Sequence, residues 1–214
     1  MKIAKFGHCC LCIEVEGLTI LTDPGTFSSK QDSLKGIDIV LISHEHGDHF
    51  HIESVEKILF NNPEAEIITN AAVGKILEGK GIAHTVLDGT AKVERKGVML
   101  EAFDGKHEEI FEEIGQVQNT GYMIANMLFY PGDSFRKPER EVGILALPIA
   151  GPWCKIADAI RYAIAVAPKQ AFPVHDAVVK DDFIPFLHSM PKMILEGKGI
   201  EFISMKAGDM KEFR

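Results

Sequence analysis

Residues 38–51 read DIVLISHEHGDHFH. Ile39 to Ile42 form a short, β-branched apolar run bounded by polar residues, which is the pattern of a buried strand. His44, His46, Asp48 and His49 follow where that strand must end, on a loop carried by a rigid sheet. A lone histidine beside a core is usually structural, but three imidazoles and a carboxylate packed this closely point to a metal. Imidazole with carboxylate suits zinc, iron, manganese or nickel better than magnesium or calcium. Neighbouring side chains on a tight loop diverge, so the cluster has donors for two ions, and Gly47 permits the sharp turn this needs.

The bulk properties narrow the setting. A chain of 214 residues suits one domain with a sizeable core, or at most two small ones. The 46% hydrophobic and 25% charged residues are ordinary for a globular protein. A net charge of −8 argues against a broad nucleic-acid surface. No apolar run approaches the roughly 20 residues of a membrane span, and MKIAKFGHCC lacks the apolar core of a signal peptide. The expectation is a soluble, cytoplasmic chain acting on a small molecule, with neither nucleic acid nor membrane as partner. Exposed sheet edges leave a homo-oligomer open. Cys9, Cys10 and Cys12 read as small buried hydrophobes in a reducing cytosol, with alternation placing Cys10 and Cys12 on one face and Cys9 on the other.

Along the chain, the same arrangement recurs. KIAKF, CCLCIEVE and LTILTD read as strands, broken at Gly7 and Gly17 and leading to His8 and Asp23. Ile52, Val55, Ile58 and Leu59 make a helical stripe, followed by the strand EIIT and the helix AAVGKILEG. The strand VMLEAFDGK runs into His107, MLFYPG into Asp133, and KQAFPV into His175. GILALPIAGPW brings the only tryptophan, Trp153, onto a loop where it could line a pocket. CKIADAIRYAIAVA and DDFIPFLHSM read as helices, the second capped by Asp181 or Asp182. His84 reads as structural and His188 as a surface residue. Repeatedly, an apolar strand ends and a potential ligand appears, which places one site at the edge of a sheet sandwich.

HEHGDH resembles the HxHxDH signature of the metallo-β-lactamase superfamily. GHCCLCIEVEGLTILTDP is similar to the opening of its branch containing ascorbate-6-phosphate lactonase-like and N-acyl-phosphatidylethanolamine phospholipase D-like proteins. TGYMIANMLFYPGDS and PVH resemble the settings of that family's bridging aspartate and last histidine. The resemblance spans almost the whole chain and implies an α/β fold, a four-layer αββα sandwich forming a single domain over residues 1–214. It implies one ion on His44, His46 and His107, a second on Asp48, His49 and His175, and Asp133 bridging them. Asp23 would hydrogen-bond a ligand imidazole from behind, and His8 lies in the same opening.

That ligand set implies a binuclear metal-dependent hydrolase, with a metal-activated water attacking a small soluble ester, lactone or phosphodiester. Asp48 and Asp133 would be its catalytic carboxylates. Zinc is the expected ion for both positions, with manganese or iron as alternatives. The iron flavoprotein branch has Glu where this chain has His46, which argues against a diiron redox role. Two alternatives remain: a mononuclear iron dioxygenase, and a metal-binding protein without turnover on the same fold.

Overall fold

A computed structural model describes residues 1–214. The two-residue period of an extended chain buries every second residue of β1 (Lys2–Gly7), Lys5 among them, and all of β2 (Cys10–Val15) but Cys12 and Glu14. These pair antiparallel with each other and, through β2, with β3 (Leu18–Thr22). The uniformly apolar IVLI of β4 (Ile39–Ile42) is buried on both faces, as a strand covered by helices must be. It runs parallel to β3 and to β5 (Glu66–Thr69), which in turn pairs parallel with β6 (Thr85–Val86). Parallel neighbours need crossovers, and α1 (Ile52–Asn61) and α2 (Ala71–Gly79) supply them.

The second half repeats the plan. β7 (Lys92–Arg95), β8 (Val98–Lys106), β9 (Gln118–Ile124) and β10 (Leu128–Tyr130) form an antiparallel meander. β11 (Ile144–Pro148), β12 (Gln170–Val174) and β13 (Glu201–Phe202) continue it in parallel. The crossovers are α3 (Ile156–Val166) and α4 (Ile184–Glu196). A final strand, β14 (Met210–Glu212), returns to pair with β1. The two sheets are therefore ordered β14-β1-β2-β3-β4-β5-β6 and β13-β12-β11-β10-β9-β8-β7.

Three apolar layers hold these elements together. Ile3, Leu11, Ile13, Ile20 and Leu41 of the first sheet meet Leu100, Tyr122, Ile124, Tyr130 and Phe172 of the second between the sheets. Val55 and Ile58 of α1 with Val73 and Leu77 of α2 cover the outer face of the first sheet. Ala159, Ile160 and Ala163 of α3 with Leu187 and Leu195 of α4 cover that of the second. This is the expected αββα sandwich. Cys9 faces the inner layer and Cys10 and Cys12 the outer one, as alternation requires. No helix is long and apolar enough to cross a membrane.

Two expectations fail. Residues 181 and 182 do not cap α4, whose N-cap is Phe183 with no side-chain cap bond, the first turn instead carrying a proline. His188 is buried at 3% exposure, because its face of α4 packs inward on a polar cluster near β13.

Candidate metal centre

Every expected site residue lies just beyond the C-terminal end of a strand. His8 follows β1, Asp23 β3, the His44–His49 loop β4, His107 β8, Asp133 β10, Trp153 β11 and His175 β12. Parallel and antiparallel segments bring those ends to one edge of the sandwich. The His44–His49 loop folds back on itself, with His49 N and Phe50 N both donating to His46 O. It rests on the chain at Gly25, where a Cβ would lie 1.8 Å from Asp48 O.

Two donor clusters result. In one, single ligand-type atoms of His44, His46 and His107 all lie within 4.8 Å of one another. In the other, the same holds for His8, Asp48, His49 and His175. Asp133 reaches both. Its Oδ2 is 3.2 Å from His107 Nε2 and 2.8 Å from His175 Nε2, and its Oδ1 is 3.1 Å from His49 Nε2. Trp153 Nε1 donates to Asp133 Oδ2 at 3.1 Å, so the tryptophan reaches the site as well as anchoring its loop.

The other ring nitrogens decide which way the imidazoles face. His49 Nδ1 lies 2.6 Å from Asp23 Oδ2, His107 Nδ1 2.5 Å from Glu108 O, and His175 Nδ1 2.6 Å from Ala150 O. All three partners accept, so each Nδ1 carries the hydrogen. His44 Nδ1 meets Ser43 Oγ at 3.0 Å, and that hydroxyl already donates to Asp23 Oδ2, so His44 Nδ1 donates too. The Nε2 lone pairs of all four rings are thereby turned into the site.

Three of those nitrogens have no hydrogen-bond partner. Nε2 of His44, His49 and His175 and Oδ1 of Asp133 are buried and unpaired. Buried polar atoms are nearly always satisfied, and a convergent set of nitrogen and carboxylate lone pairs is satisfied by a cation. The residues present therefore fit divalent metal.

The electrostatics agree. Burial, with neighbouring histidines, lowers His44 and His46 below the ordinary imidazole value and so favours the neutral form that binds metal. Burial opposes charge on His49, but Asp133 and the hydrogen-bonded Asp23 raise it well above its ordinary value. A site that draws a proton to His49 draws a cation in its place. Burial likewise opposes ionisation of Asp133, yet His49 and His175 hold its carboxyl well below the ordinary range.

His8 differs from the four histidines above. Its Nε2 lies 3.2 Å from Asp48 Oδ2, so this nitrogen donates, and its ring sits 3.9 Å from that of His175. Burial pushes its pKa down to about 4 against the pull of Asp48. His8 thus orients Asp48 rather than offering a lone pair to the same space. Asp48, its side chain 25% exposed, is the open carboxylate of the site, while Asp133 is closed at 2%. The backbone is strained here as well, since His8, Asp23 and His175 are left-handed at φ 43°, 36° and 61°.

Sequence reasoning missed the residues behind this shell. Asp23 accepts from Ser43 N and from Tyr130 Oη as well as from His49. Asn119 accepts from Asp133 N through Oδ1 and donates to Pro131 O, while Asn70 both caps α2 and donates to Ser43 O. Cys9 lies close to His49 and Asp133, and burial pushes its thiol up to about 11.

Residues 2–175 match the family described as "Beta-lactamase superfamily domain". The chain belongs to the beta-lactamase superfamily. Protein Rv0786c of Mycobacterium tuberculosis is 35% identical over 187 residues, covering 85% of this chain and 87% of that one. The UPF0173 metal-dependent hydrolase of Methanosphaera stadtmanae is 28% identical over 149 residues, 63% of this chain and 62% of that one. Among solved structures, Igni18, a novel metallo hydrolase from Ignicoccus hospitalis, superposes with a TM-score of 0.77. It is 20% identical, and the match covers 100% of this chain and 99% of that one. The HEHGDH loop and the histidines that follow lie within or at the end of the matched family region.

Proposed function

We propose that this superfamily member is a binuclear metal-dependent hydrolase acting on a small soluble ester, lactone or phosphodiester. The observation that carries the reading is the set of buried, unpaired Nε2 lone pairs arranged in two clusters about one shared carboxylate. The naming of the Methanosphaera relative as a metal-dependent hydrolase supports it. His44, His46 and His107 would hold one ion and Asp48, His49 and His175 the other, with Asp133 common to both. Zinc suits this nitrogen-rich set best. Bound divalent ions supply a water that ionises near neutral pH and a Lewis acid for the acceptor oxygen.

The chain's own groups do the rest. Asp133 accepts from the Trp153 N–H and its own backbone N–H donates to Asn119 Oδ1, so its carboxylate is fixed between the two clusters. Asp48, ionised and more open, faces incoming substrate, and His8 fixes its orientation, so it can accept a hydrogen bond from the attacking water and orient it. No side-chain nucleophile competes, since the nearby thiol of Cys9 is kept protonated by burial.

Elemental analysis of protein purified without chelator or nickel resin should find close to two zinc or manganese ions per chain. Asp133→Ala should abolish hydrolysis of lactone and phosphodiester substrates while the far-ultraviolet circular dichroism is kept. One iron per chain, or full activity in Asp133→Ala, refutes the binuclear mechanism.

A further inference from the structure

Lys5 lies on β1 with its side chain fully buried. Its ammonium donates to Asp176 Oδ1 at 2.7 Å, to Asp176 Oδ2 at 2.8 Å and to Pro173 O at 2.9 Å. His188 of α4 reaches the same carboxylate, Nε2 to Oδ2 at 3.0 Å, and its Nδ1 meets Ser204 Oγ at 2.7 Å. Burial works against the charge on Asp176, but Lys5 and His188 outweigh it and hold the carboxyl below its ordinary value.

Stability alone is weak ground for such a cluster. Replacing both partners of a buried ion pair by apolar groups is often neutral or better. Its position is what distinguishes it. Asp176 directly follows His175, and Lys5 lies on the strand that leads into His8. The two loops are joined by His175 N donating to His8 O at 3.2 Å. Both histidines hold left-handed backbones, at φ 61° and 43°, which non-glycine residues keep only when their surroundings impose them. β1 belongs to one sheet and β12 to the other, so the cluster ties the two sheets together beside the second donor cluster.

We propose that Lys5, Asp176 and His188 form a positioning clasp that holds His175 and His8 in place. The clasp thereby sets the affinity of the Asp48–His49–His175 cluster for its ion and leaves the three-histidine cluster unaffected. This inference rests on the binuclear reading above.

The double variant Lys5→Met/Asp176→Leu removes both charges of the ion pair together and leaves His188, still bonded to Ser204 through Nδ1, without its Asp176 partner. In chelator-stripped protein, the His175 amide should exchange with solvent at least tenfold faster than in wild type. The Leu145 and Ala171 amides, within the second sheet, should not change. In zinc calorimetry the variant should bind one ion as wild type does and the second 10- to 100-fold more weakly. A folded double variant with wild-type exchange at His175 and both zinc affinities intact overturns the proposal. Equal losses at both clusters overturn it too, because they mark a purely structural role. If the double variant does not fold, His188→Leu carries the same two measurements, with a smaller shift in the same direction expected and no shift overturning. Should wild type itself bind a single zinc, the binuclear reading falls, and the exchange experiment still decides the clasp.

Discussion

Asp23→Asn changes one atom of a residue that touches no substrate, yet it should be among the costlier substitutions in the chain. Asp23 is fully buried, and four donors converge on it. Ser43 N reaches Oδ1 at 2.7 Å, while Ser43 Oγ at 2.5 Å, His49 Nδ1 at 2.6 Å and Tyr130 Oη at 2.6 Å share Oδ2. Asparagine keeps the shape but has only one acceptor. With its carbonyl placed toward the three side-chain donors, its amide faces the Ser43 N–H, leaving buried donors unpaired at a cost of roughly 1–3 kcal/mol. The three remaining bonds lose their charge assistance, about 1 kcal/mol each by the difference between charged and neutral hydrogen bonds. The total is about 4–6 kcal/mol, a large part of the 5–15 kcal/mol typical of a folded domain. His49 also loses the partner that fixes its tautomer, so zinc at the second cluster should weaken 10- to 100-fold. Urea denaturation of metal-free protein at pH 7 and competitive zinc titration measure the two effects. A stability loss under about 1 kcal/mol with unchanged zinc affinity would refute the assignment of Asp23 as the residue that holds His49.

Other perturbations test other contacts. Between pH 6.5 and about 4 the unfolded chain takes up a proton at His8 that the native chain refuses, so acid removes stability across that window. By pH 5 this amounts to about 2 kcal/mol, and the pH 7 to pH 5 stability loss of metal-free His8→Gln should be smaller than wild type's by that amount. Gly25→Ala would place a Cβ 1.8 Å from Asp48 O and 2.4 Å from His49 N. The HEHGDH loop must move, and the purified variant should carry less than one ion per chain. Trp153→Phe keeps the ring packing but removes the N–H on Asp133, and should lower kcat about tenfold with a melting temperature near wild type.

The architecture was readable because its signals are local. Ile39 to Ile42 is apolar at every position, and both its faces are covered; in CLCIEV the exposed Glu14 alternates with the buried Ile13 and Val15. His44, His46, Asp48 and His49 announce themselves by density along the chain. His107, Asp133 and His175 are recognisable because each follows an apolar strand. By contrast, Ser43, Asn119 and Tyr130 look like any polar residues at strand ends, and nothing near them in the chain says that they hold Asp23 or Asp133 in place. His188 misleads for the same reason. Its helix carries the exposed Phe186 and Met193, and only the packing of α4 against the segment around Ser204 turns this histidine inward.

The set of elements and the candidate donor set were therefore legible along the chain, since period-two and helical patterns and the density of histidines are properties of neighbouring residues. The tertiary structure decided how those donors divide. It joined His8 to Asp48 across two strand ends, set Asp133 between His49, His107 and His175, and aimed four Nε2 lone pairs inward through contacts that include Asp23 with His49 and Ala150 with His175. Lys5 and Asp176, 171 positions apart, meet only because β1 and β12 face each other in different sheets. Tautomer, orientation and pairing are fixed by which groups lie opposite in space, and that is set by the packing of the two sheets rather than by order along the chain.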